Sequence, residues 1–195
     1  MKVKRTLLPP SVLIAALLLL ALEGCLGSGD GVKGRVDKAV SLITSSRPLL
    51  EDLLELDERF DTLGTRYSVV EETIAEGKSL VEMALIDVNE LESRYMQARD
   101  LLHEVLEAED AGKYAEYARL ILEAVYVEME AFSRNRQLLD TVSDMLDVLP
   151  MAESTEQLSY YVEEIARLTN EISELLQQGS QEAKEADEYC KQAGL

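Results

Sequence analysis

Tryptophan is absent from the 195 residues, phenylalanine occurs twice, histidine once and proline four times. The two cysteines, Cys25 and Cys190, are too few for the disulfide framework of a small secreted domain. Basic residues are scarce, 19 Lys and Arg against 38 Asp and Glu, for a formal net charge of -19. Phosphate backbones are bound by clustered Lys and Arg, so this balance argues against nucleic acid as a partner. A single histidine, His103, cannot supply two imidazoles to a metal centre. No Ser-His-Asp or Cys-His arrangement is evident, and the glycine-rich run Gly27 to Gly31 lacks the Lys-Ser/Thr and preceding strand of a phosphate loop. The one long apolar run, Val12 to Leu22, has 11 residues, about half of the ~20 that span a bilayer as a helix.

That run has a context. The opening MKVKR carries three positive charges, and the apolar core ends at Leu22-Glu23-Gly24-Cys25. A basic start followed by a short apolar core is the pattern of a cleavable secretion signal. Its end resembles the lipobox of prokaryotic (bacterial or archaeal) lipoprotein precursors, with a branched apolar residue three before the cysteine and Gly one before. Leu22, Gly24 and Cys25 match; Glu23 departs from the small residue that the family prefers. The resemblance covers the first 25 residues. It implies that the Cys25 thiol receives a diacylglycerol, becomes the mature N-terminus and fixes the protein to the extracytoplasmic face of the cell membrane. Leu26-Gly27-Ser28-Gly29-Asp30-Gly31 then reads as a flexible tether. The expected division is 1–24 signal peptide, 25–31 lipidated cysteine and tether, and 32–195 helical domain. Removing residues 1–24 leaves 37 acidic and 16 basic residues, so attachment rests on the anchor and not on attraction to anionic lipid. An acylated Cys25 leaves Cys190 single.

The remainder reads as helix. Val70, Ile74, Val81, Ala84, Val88, Leu91, Tyr95, Ala98, Leu102 and Val105 recur at steps of three and four, with Gly77 filling the gap. Leu80, Met83, Leu101 and Leu106 widen this stripe, as the wide face of a bundle helix requires. Ser68-Val69-Val70-Glu71 and Ser154-Thr155-Glu156-Gln157 fit capping boxes. Pro48 predicts a kink, or a restart capped by Ser45 or Ser46. Asn135 falls on an apolar stripe, either fixing register in the core or lying at its rim. Four helices are expected, about 32–63, 68–109, 113–149 and 154–191, with the last 15 residues thin or frayed. Short connections make neighbours antiparallel. The fold class is therefore all-α: an elongated up-down antiparallel four-helix bundle, or long helical hairpins with coiled-coil-like packing.

Chemistry-bearing residues are sparse. Asp100-Leu101-Leu102-His103 has the carboxylate-x-x-His spacing used by di-iron bundles, but a second motif cannot exist. Asp100 and His103 are thus weak metal-ligand candidates, and a surface histidine paired with Glu104 or Glu107 is the simpler reading. Carboxylate pairs such as Glu128 with Glu130 are expected to face water. Tyr114, Tyr117 and Tyr160 are candidates for a binding surface, since tyrosine buries area and keeps a polar handle. The reading that follows is a membrane-tethered helical interaction or scaffold protein with no cofactor and with a protein partner or self-association. A small-ligand or sensor-type domain and a metal-assisted enzyme using carboxylates are the alternatives.

Overall fold

The computed structural model describes residues 31–64, 71–152 and 155–195. Cys25, the expected signal, most of the expected tether and both capping-box serines, Ser68 and Ser154, lie outside these. Every regular element among the described residues is helical: α1 (Val32–Thr44), α2 (Arg47–Gly64), α3 (Glu71–Leu106), α4 (Lys113–Val148) and α5 (Ser159–Ala193), with 3-10 turns at Leu149–Met151 and Thr155–Leu158. At 1.5 Å per residue, α3 and α4, of 36 residues each, are about 54 Å long.

Packing follows chain order. α1 and α2 lie along α3, α3 packs on α4, and α4 packs most extensively on α5. Contacts across each boundary set antiparallel directions. Arg35 near the start of α1 pairs with Glu104 near the end of α3. Lys78 pairs with Asp147, and Tyr95 meets Phe132 edge-on at 4.9 Å. Lys113, which opens α4, donates to the Ala193 carbonyl at the close of α5. One end of the molecule thus holds the start of α1, the end of α3, the start of α4 and the end of α5.

The stripes become the core. Val36, Ala39, Ile43, Leu50, Leu53, Leu56, Phe60 and Leu63 are all buried, as are the α3 positions from Leu80 to Val105 on the expected stripe. Each fully buried Leu, Ile or Phe contributes about 1.5–3 kcal/mol. At Gly77 the α3 backbone comes close to Leu146 of α4: a Cβ there would lie 3.1 Å from Leu146 Cδ1.

The structure corrects the expectation in several places. Pro48 divides the first helix in two. It sits at the second position of α2, where its missing N–H has no intrahelical acceptor to lose. The Ser45 and Ser46 hydroxyls turn back to the Leu42 carbonyl, 3.0 and 2.8 Å away. They satisfy the end of α1 instead of capping α2. Met83 and Leu106 do not widen the α3 core face; both are exposed. Leu149, Leu175 and Tyr189, each three residues beyond a buried core position of α4 or α5 and so placed by spacing to face inward, are only half-buried. The C-terminal segment is an ordered helix, because small residues bring α5 close to α4: Gly179, Ser180, Ala183, Ala186 and Cys190 are all buried. It ends in a Schellman motif. Gly194 adopts φ 63°, its N–H bonds the Lys191 carbonyl, and the Leu195 N–H bonds the Cys190 carbonyl. Cys190 is a buried thiol and not an exposed cross-linking group.

Candidate functional site

The three candidate tyrosines do not form one surface. Tyr117 is buried at 4 % exposure and belongs to the core. Tyr114, one turn earlier on α4, is half-buried at the end of the bundle shared with α1. Tyr160 stands at the other end, in the first turn of α5, about 50 Å away along the helices. It is 68 % exposed and meets the Tyr161 ring edge-on at 5.5 Å. Met151, 73 % exposed, follows α4 at that same end. Adjacent tyrosines on a helix point about 100° apart, so only Tyr161 turns partly inward.

His103 is exposed, and its Nε2 lies 2.6 Å from the Tyr126 hydroxyl of α4. The expected pairing with Glu104 or Glu107 is not what forms: Glu104 bonds Arg35, and Asp100 takes the Arg99 guanidinium. Asp100 and His103 are therefore engaged with separate partners. Among the described residues, no three His, Cys, Asp or Glu side chains converge on a point that would hold a metal ion.

A polar layer crosses the middle of the bundle. Glu128, expected at the surface with Glu130, is 6 % exposed. Its side chain lies over Gly179 of α5, where an added Cβ would be 2.9 Å from Glu128 Cγ. From α3 the Tyr95 hydroxyl donates to the carboxylate, and Oε2 has no hydrogen-bond partner. Burial is the main influence on this carboxyl; it pushes the pKa up to about 7, and the tyrosine bond opposes the shift only in part. Tyr95 is raised well above its ordinary range by burial first, then by the Glu128 charge and the hydrogen bond to it. Asn135, two turns along the same face of α4, is also buried, with Oδ1 unpartnered. It lies in the core and not at the rim. Across α3, Arg94 donates to the Ser45 carbonyl at 2.7 Å, so the α1–α2 break stands beside Tyr95 at this level.

On the flank, α2 and α3 enclose a groove of about 400 Å³. Leu56, Met83 and Ile86 form its apolar lining, and Asp52, Glu55 and Asp87 stand on its margins with Arg59. Met83 and Ile86 are 45 % and 67 % exposed. Asp87 is raised by burial against the groove and then by the negative charge of Asp52 across it.

Sequence reasoning missed both Glu128 and the groove. The signal for Glu128 was available: Glu128 falls between Val125 and Phe132 at steps of three and four on the core stripe. The groove had no comparable signal, because it arises from how α2 sits on α3. No protein-family model, curated protein or solved structure matches this chain.

Proposed function

We propose that this chain is a lipoprotein: an acidic helical bundle held to the extracytoplasmic face of a cell membrane through Cys25 and engaging protein partners away from that membrane. The observation that carries the reading is the run from the basic start through Leu22-Glu23-Gly24-Cys25 to a glycine-rich tether that leads directly into α1. Seven residues, 25–31, reach at most about 25 Å when extended. The α1 end, with Tyr114 and the α5 terminus, is then the end nearest the lipid. The opposite end carries exposed Met151 and Tyr160 about 50 Å further out. No described helix is long and apolar enough to cross a membrane. With residues 1–24 removed, 37 acidic against 16 basic residues leave a net charge of about -21, which keeps the bundle off anionic lipid and soluble around its anchor.

The test is the intact mass of protein extracted from native membranes. The expected species starts at Cys25 and carries a diacylglyceryl group, and Cys25→Ser abolishes processing at this site. A membrane fraction holding only unmodified, full-length chain would overturn the anchor.

A further inference from the structure

We propose that the α2–α3 groove is the docking site for a basic amphipathic helix of a partner protein, an inference that rests on the anchored-interaction reading and names the partner's chemistry. Its lining is apolar where exposure is least expected. Met83 and Ile86 lie on the outer side of α3, in a row otherwise made of Glu82, Glu90 and similar groups. A soluble helix gains nothing from presenting isoleucine at 67 % exposure. A partner's apolar side chains would cover it and Met83, whose flexible thioether adapts to varied shapes.

The margins specify the partner's charge. Asp52 and Glu55 on α2 face Asp87 on α3, against the single cation Arg59. Asp52 and Asp87 repel across the groove, which desolvation by an apolar occupant alone would worsen. Lysine or arginine at the edges of the occupant relieves that repulsion and gives both steering and specificity. The same charges select among occupants. A second copy of this chain would bring another acidic rim and another surface of net negative charge, and an anionic lipid headgroup would do likewise. From Asp52 to Arg59 the groove spans about 10 Å of α2, two helical turns, which suits an occupant with apolar anchors at i, i+3 or i+4, and i+7.

The experiment places a photoreactive phenylalanine at position 86 of the full anchored chain, with comparison sites at 126 and 160, and irradiates native membranes. The expected product is one protein adduct at position 86. Its cross-linked segment has helically spaced apolar residues flanked by Lys or Arg, and its yield falls about tenfold or more in the Asp52→Lys, Asp87→Lys double variant. Circular dichroism checks that this variant keeps its helix. Independently of any variant, raising salt from about 0.15 to 0.5 M should lower the yield, because charges at an exposed rim are screened. An adduct with a second copy, with lipid or with a segment lacking basic residues overturns the proposal, as does a yield indifferent to both charge reversal and salt. Protein adducts at 126 or 160 but none at 86 would remove the groove and leave the interaction reading standing. No protein adduct at any of the three sites removes both.

Discussion

Glu128 concentrates the chemistry of the core in one side chain. A carboxyl at 6 % exposure with one tyrosine partner and one orphaned oxygen holds its proton more tightly than an exposed carboxyl does. Its pKa is raised in the folded state, from 4.5 to about 7. The folded chain therefore binds this proton more tightly than the unfolded chain does. The associated stability is fully present below about pH 4.5, declines as pH rises toward 7, and is gone above it. The shift corresponds to about 3 kcal/mol. Glu128→Gln keeps the shape and cannot ionise. We expect the variant and the natural chain to differ little in urea unfolding near pH 4.5, and the variant to be more stable by about 3 kcal/mol at pH 8. A pH-independent difference between them would show that Glu128 does not carry a shifted pKa. The comparison with the variant isolates Glu128 from the rest of an acidic chain.

At the scale of helices, two glycines set how closely neighbours approach, and their contacts differ in kind. At Gly77 the obstacle is the end of the Leu146 side chain, 3.1 Å from an added Cβ. At Gly179 it is Glu128 Cγ at 2.9 Å, a carbon low on a side chain already confined in the polar layer. Alanine favours a helix interior over glycine by about 1 kcal/mol, and overpacking costs about 1–3 kcal/mol. Gly77→Ala should therefore fall within about 1 kcal/mol of neutral, while Gly179→Ala should destabilise by about 1–2 kcal/mol. Thermal unfolding followed by circular dichroism checks both; equal effects would mean that α4 and α5 are not in the close contact described. These glycines also mark what was legible in sequence. Large apolar residues at three-four spacing identified the stripe of α3, since burial of Leu, Ile and Val dominates that pattern. The same reasoning failed along the end of α5, where Gly179, Ser180, Ala183 and Ala186 replace large residues. There the small side chains signal close approach of two helices, and their low apolar area made an ordered interface read as a fraying end. Glu128 stood at a legible stripe position and was still read as solvated, for the converse reason. A charged residue on a stripe is ordinarily solvated, and only Gly179 opposite makes room to bury it. The Asp100–His103 spacing was visible, but spacing along one helix says nothing of Tyr126 on the next, which takes the imidazole.

For the whole molecule, the helices form a rod with two unlike ends. The end that begins with Val32 is closed by backbone and side-chain contacts: Lys113 reaches the Ala193 and Gly194 carbonyls, and Leu195 packs onto the core. The other end presents Met151 and Tyr160 to solvent. In the proposed lipoprotein the chain is tethered by its first end, and the other end faces away from the membrane. The most direct test is energy transfer from a donor at position 113 or at position 160 to an acceptor dye in the lipid headgroups, using the acylated protein in vesicles. With a tether of at most about 25 Å and a rod about 50 Å long, transfer from 113 should be several-fold more efficient than from 160. Equal transfer from the two positions, or stronger transfer from 160, would rule out a tether at the first end.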